Sequence, residues 1–248
     1  MKGKGKVLRE EKAGPSPILL WILILILIAG LFFLMTSSLF NVTEITVYGC
    51  QAISEEEVIR LSGITEETNI VKLSEREARE QIESNPYLEV TDIKRVFPTG
   101  VEIYVRERVA AGQINTANGC FLIDADGIAL EVRAVPDETL PQILNLPISQ
   151  PVGGKTVPTA EADRLDAAVC VMKAIRACRL TGKITSIDVE DPYRLVLCYD
   201  GYLTVLLAGG ATAEEKLMHL EDTIAAIGDK LTEGKVLHLE SEGGYYLK

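Results

Sequence analysis

The chain has little of what usually carries chemistry. Its 248 residues include two histidines, His219 and His238, one tryptophan, and only 6% aromatic residues in all. Neither HExxH nor GxSxG occurs, and neither histidine stands in a pattern with a serine or cysteine nucleophile. Motif-borne zinc-protease and serine-hydrolase activities are thereby excluded, and the chain reads as a non-enzyme. The five cysteines form no CxxC pair and have no histidine at ligand spacing, which excludes a zinc ribbon or finger. Cys170 and Cys178, on one expected helix, would stand about 12 Å apart along its axis, too far for a disulfide. The thiols read instead as small buried hydrophobes. Basic residues are also scarce, 25 against 36 acidic, for a net charge of −11. A surface of that sign repels phosphate and argues against nucleic acid as a partner.

Two further motifs fail on their spacing. Gly153-Gly154-Lys155-Thr156 ends like a P-loop, but the pattern requires glycine where Ser149 stands, and Val157-Pro158 replaces the helix that would face a phosphate. Asp124-Ala125-Asp126-Gly127 begins like a calcium loop but lacks a third oxygen ligand and the downstream glutamate. No cofactor is called for.

What the chain does have is one long apolar run. Ile18 to Met35 is continuous and free of charge, and no charged residue occurs from Ala13 to Val42. A helix of that length crosses a hydrocarbon core of about 30 Å, and Pro15 and Pro17 sit where prolines suit a helix start. The run exceeds the core of a signal peptide, and Met35-Thr36-Ser37-Ser38 offers no small-x-small cleavage site. It reads as an uncleaved span over residues 18–36. The preceding tail, residues 1–17, holds Lys2, Lys4, Lys6, Arg9 and Lys12 against Glu10 and Glu11, which predicts a cytoplasmic N-terminus. Everything after the span is then outside, with 20 basic residues against 34 acidic.

After the span the pattern predicts an α+β chain in two units. The first, residues 40–110, reads β-α-α-β-β. A short strand around Val42 to Tyr48 ends at Gly49, and Ser54 and Ser74 each stand three residues before a glutamate, as helix caps do. Asn85-Pro86 closes the second helix. Val90 to Phe97 and Val101 to Arg106 then alternate around Pro98-Thr99-Gly100 as a hairpin. Arg106-Glu107-Arg108 reads as a solvated strand end with cross-strand charge pairs.

The second unit, residues 111–240, is expected to be an α+β domain with a largely antiparallel sheet. Strands are predicted at Gly119–Ile123, Ile128–Val132, 184–189, 194–199, 202–207 and 234–240. An irregular, proline-punctuated connection leads to a helix from Thr159, with Leu165, Ala168, Val169, Met172 and Ile175 inward. A second helix, capped by Thr212, carries Leu217, Leu220, Ile224 and Ile227 inward. Residues 241–248 read as a C-terminal tail.

Several of these stretches together resemble a known family. They are Val47-Tyr48-Gly49, Asn69-Ile70, Asn85-Pro86-Tyr87-Leu88, and Arg95-Val96-Phe97-Pro98 followed by Val101 to Arg108. In this order and behind a membrane anchor, they are similar to the FtsQ/DivIB bacterial cell-division proteins, whose first outer domain is a POTRA domain. Val109 departs from the pattern, since many relatives have proline after the Glu-Arg pair.

The resemblance implies a single-pass protein of the bacterial inner membrane, at the division septum. It would scaffold FtsB/DivIC-like and FtsL-like partners and, through them, help control septal peptidoglycan synthesis by the wall-synthase complex. Glu240, Tyr245, Tyr246 and Leu247 match by position the family's partner-binding strand. An unpaired sheet edge there could add a partner segment through main-chain hydrogen bonds, with tyrosines as interface anchors. Two rivals are a POTRA-bearing component of a transport or assembly machine and an anchored sensor. The first usually carries several POTRA repeats or a membrane barrel; for the second nothing in the sequence selects a ligand.

Overall fold

The structure is a computed structural model that describes residues 17–117, 119–228, 236–239 and 245–247. Its first element, α1 (Pro17–Met35), is among the described residues the one helix long and apolar enough to cross a membrane, and none of its apolar stretch is buried in protein. The last four carbonyls of a helix lack partners within it, and here each finds one. Thr36 serves Phe32 and Phe33 through its backbone N–H and hydroxyl, and Ser37 serves Leu34. The Met35 carbonyl accepts from the Asn69 side-chain amide, which also donates to the Ser37 carbonyl. A residue 34 positions downstream thus closes the end of α1.

The first domain has the expected element order: β1 (Glu44–Tyr48), α2 (Glu55–Ser62), α3 (Glu75–Ile82), β2 (Leu88–Val96) and β3 (Gly100–Glu107). β3 lies between the other two strands, parallel to β1 and antiparallel to β2. The inward side chains Val47, Val90, Ile93, Val101, Ile103 and Val105 meet Val58, Ala78 and Ile82 from the helices. Each fully buried aliphatic side chain contributes about 1.5–3 kcal/mol. Ser54 and Ser74 accept from the N–H of Glu57 and Glu77, as caps should. Glu57 does not reach back to its cap, because its carboxylate forks onto Arg60 instead.

The second domain is one mixed sheet with helices against a single core. It comprises β4 (Ala110–Thr116), β5 (Gly119–Asp124), β6 (Ala129–Arg133), β7 (Gln142–Leu144), α4 (Ala162–Ala177), β8 (Ile184–Asp188), β9 (Arg194–Tyr199) and β10 (Leu203–Ala208), followed by α5 (Ala213–Leu217), α6 (Leu220–Ile227), β11 (Val236–Leu239) and β12 (Tyr245–Leu247). The nine strands lie in the order β12-β11-β10-β9-β8-β7-β4-β5-β6. Five neighbouring pairs are antiparallel, and β10–β11, β4–β7 and β7–β8 are parallel. Leu165, Ala168, Met172 and Ile175 of α4 are buried in its core as expected, and Val169 packs at its margin.

Sequence and structure differ at four places here. β4 follows β3 after two residues, where no turn residue signals a new strand. β7 lies inside the stretch read as irregular; its three residues are anchored by parallel pairing to β8. The helix expected from Thr212 is two, α5 and α6, interrupted at Met218-His219, and Thr212 makes no side-chain cap. β12 falls in the stretch read as a tail.

Two glycines separate backbone strain from steric conflict. Gly49 and Gly201 both have positive φ, +99° and +75°, but a Cβ on Gly49 would lie 2.0 Å from the Val105 carbonyl oxygen, whereas one on Gly201 meets open space. Gly201→Ala should cost about 1 kcal/mol, and Gly49→Ala clearly more, because backbone must move. Urea unfolding of the detergent-solubilised chain checks the order; equal costs would mean that the β1 end yields freely.

Candidate functional site

The residues singled out for partner binding lie at one end of the nine-stranded sheet. Tyr245, Tyr246 and Leu247 form β12, antiparallel to β11 with Leu239, His238 and Leu237 as their respective register partners. β12 is the terminal strand of the order, so its far side carries no further strand among the described residues. Glu240 lies outside the described residues.

Beside this edge the sheet has two unlike faces. Leu195, Leu197, Leu203, Val205, Leu207, Leu237 and Leu239 are buried in the core. The alternating residues Val196, Cys198, Thr204, Leu206, Val236 and His238 are half-buried. In register, Val196, Leu206 and His238 form one row across β9, β10 and β11 that ends at Tyr246. The terminal edge therefore adjoins a mixed apolar surface.

The position of that edge relative to α1 depends on how the two domains are joined, and the joint is polar and apolar at once. Arg108, just past β3, is 12% exposed in its side chain and donates to Asp124 at 2.9 Å; Asp124 is 6% exposed. The other oxygen of Asp124 accepts from the N–H of Asp126 and Ile128, which fixes the turn between β5 and β6. Glu89 on β2 pairs with Arg106 across the strands and lies 3.6 Å from Arg108. Asp126 pairs with Arg106 and with Lys173 of α4. Three acids and three bases thus form a neutral network from the first sheet to the helix of the second domain. Beneath it Tyr87 packs on Leu122, Leu130 and Leu140, and burial, followed by a hydrogen bond to Glu131, pushes its hydroxyl pKa up. Gly153 completes the contact, since a Cβ there would lie 2.6 Å from Pro86 Cγ.

This joint corrects the reading of Arg106-Glu107-Arg108 as a solvated strand end. Arg106 does make the cross-strand pair. Glu107 turns the other way, and its carboxylate accepts from the N–H groups of Gln51, Ala52 and Ile53. Burial works to raise its pKa, but the three donors outweigh it and hold the group below the usual carboxylate range. Asp126 is held below that range first by the Lys173 hydrogen bond, against burial, with Arg106 and Arg108 adding to the effect. The would-be calcium aspartates are thus spoken for by cations and turn amides, and Gly153-Gly154 serves close domain packing. The local sequence carried no signal for the joint, because each partner lies in a different segment. Among the described residues no group of three His, Cys, Asp or Glu could hold a metal ion.

Two outcomes follow from the joint. Arg108→Met leaves Asp124 buried without its cation and should destabilise the folded chain by about 3–5 kcal/mol, with Arg108→Lys costing less; urea unfolding measures both. Glu107 and Asp126 have depressed folded pKa values, so their stabilisation is complete above the unfolded carboxylate value of about 4 and is lost as pH falls through the folded values. The urea midpoint should drop as pH is lowered from about 6 to about 3, and Glu107→Gln with Asp126→Asn should flatten that slope. An unchanged slope would mean that these groups titrate alike folded and unfolded.

Comparison with known proteins bears on the whole chain. The family described as "POTRA domain, FtsQ-type" matches residues 40–108. Cell division protein DivIB of Bacillus cytotoxicus is 28% identical over 150 residues, 59% of this chain and 57% of that protein, so the match spans just over half of that relative. Cell division protein DivIB of Bacillus anthracis is 21% identical over 247 residues, covering 100% of this chain and 88% of that protein. The solved major extracytoplasmic domain of DivIB from Geobacillus stearothermophilus, in its trans isomer, aligns with 51% of this chain and 98% of its own, at 17% identity and a TM-score of 0.32. With the strand-helix-helix-strand-strand order in place behind an apolar helix, residues 40–108 match the FtsQ-type POTRA domain, and the chain is similar to cell-division proteins named DivIB.

Proposed function

We propose that this chain is a non-catalytic, single-pass cell-division protein that captures other membrane-anchored division proteins at the edge of β12, beyond which no further strand lies among the described residues. The observation that carries the reading is the place of β12 at the end of the nine-stranded order. Its outward N–H and C=O groups offer a partner segment a ready ladder.

Strand pairing alone is not enough. Each hydrogen bond contributes about 0.5–1.5 kcal/mol net, and a three-residue strand offers only a few, against an association cost of about 4–15 kcal/mol. The rest would come from side chains on the half-buried row Val196, Leu206 and His238 and from the tyrosines of β12. Partners of the FtsB/DivIC and FtsL types fit this role, and through them the chain would influence septal wall synthesis. The basic tail supports a cytoplasmic N-terminus, with both folded domains outside. A transport or assembly role finds less support, since the described residues hold one POTRA domain.

Removal of residues 241–248 should abolish capture of FtsB/DivIC-like partners in a pull-down while the circular-dichroism spectrum of the chain is retained. Undiminished capture by the truncated chain would refute the edge as the binding site. A fluorescent N-terminal fusion should form a midcell band in dividing cells; a uniform membrane signal throughout the cycle would move the function away from division.

A further inference from the structure

The pole of the first domain nearest α1 carries apolar residues that the edge-capture reading does not use. Leu39, in the 3-10 turn Ser38–Phe40 just after α1, is 67% exposed. Val96 and Phe97, where β2 ends, are 45% and 58% exposed, and Pro98 beside them is exposed as well. The hairpin tip belongs to the same pole. Thr43 donates its N–H to the Thr99 carbonyl and lies 3.0 Å from it hydroxyl to hydroxyl. The parallel pairing of β1 with β3 starts there, at Glu44 and Gly100, and both strands run away from the pole.

The pole is held against the end of α1. Asn69 binds the Met35 and Ser37 carbonyls, the Ile70 N–H donates to Phe40, and the Val42 N–H donates to Thr68. Four residues in 3-10 geometry extend at most about 8 Å. The headgroup layer beyond the hydrocarbon core is about 5–8 Å thick on each side. Leu39 therefore falls within that layer whenever α1 spans a bilayer.

We infer that Leu39 and the Val96-Phe97-Pro98 tip rest in the interfacial layer of the bilayer that α1 crosses, so that the first domain sits on the membrane instead of swinging above it. The inference rests on the reading of α1 as a membrane span. Tethering through α1 removes the association cost that so small a patch could not otherwise meet. The contact is apolar in kind: Glu44, Glu66 and Glu67 are exposed on this pole with Lys72, while Lys94 reaches away from it over the Tyr104 ring, which leaves no net attraction to anionic lipid. It should therefore need neither anionic lipid nor low salt.

The test uses the full chain in proteoliposomes, with Phe97→Trp or Leu39→Trp in a Trp21→Phe background and lipids brominated at different depths. Both tryptophans should be quenched most by bromines near the glycerol end of the chains, at least about twofold more than a tryptophan replacing the exposed Tyr193 of the second domain. The quenching should persist at high salt and in vesicles of neutral lipid. Trp21 in the unaltered chain reports on the span itself. Quenching of Trp21 by bromines on the acyl chains, with none at positions 39 and 97, would overturn the membrane-resting pole and leave the span intact. Loss of Trp21 quenching would overturn the span and the inference with it. A blue-shifted but unquenched emission at position 97 would mean that the tip is covered by protein, which also overturns it.

Discussion

The guanidinium of Arg108, held almost out of water by Asp124 and Glu89, decides where the second domain stands on the first. Only Val109 separates it from β4, so the chain has no linker in which to swing. A cation buried at such a place must keep its anion. Asp124 in turn must keep the turn geometry that its second oxygen organises. Moving one domain against the other would strand a charge, a cost of several kcal/mol, as well as pull Tyr87 off its leucines. The joint is therefore stiff for a reason that apolar packing alone would not give: it has one register.

Buried ion pairs are weak contributors to net stability, because desolvation offsets much of their attraction. The stability of this chain sits in its two apolar cores, one behind the three-stranded sheet and one behind the nine-stranded sheet. The six charged groups at the joint serve orientation. Neutrality helps them do so, since three acids and three bases leave no excess charge to repel the domains. The edge strand β12 inherits a fixed direction from this arrangement through an unbroken ladder of strands.

Much of this was legible in the sequence and some was not, for physical reasons. Ser54 and Ser74 announce their helices because capping is local, and the alternation of Val101 to Arg106 announces β3 because one face is dry. β7 was hidden because three residues between prolines carry no period, and only the parallel partner β8 makes them a strand. The break between α5 and α6 was hidden because Leu217, Leu220, Ile224 and Ile227 keep helical spacing across it. Arg108, Asp124 and Lys173 look like ordinary surface charges, since the contacts that pair them, and that bury the first two, join segments far apart in the chain. Asn69 stood among the residues that marked the family resemblance, but its hold on Met35 needs the fold.

That hold has a geometric consequence inside the bilayer. A helix tied to its domain through a flexible linker can present any flank to its neighbours. With its terminal carbonyl gripped by Asn69, α1 instead has a fixed azimuth relative to the folded domain. Each residue advances a helix by about 100° and 1.5 Å. One residue inserted within α1 would therefore turn the flanks of the helix ahead of it by more than a quarter circle beneath an unmoved exterior. The apolar helix and the distant sheet edge are keyed like two teeth cut on one shaft, so that turning the one sets the angle of the other.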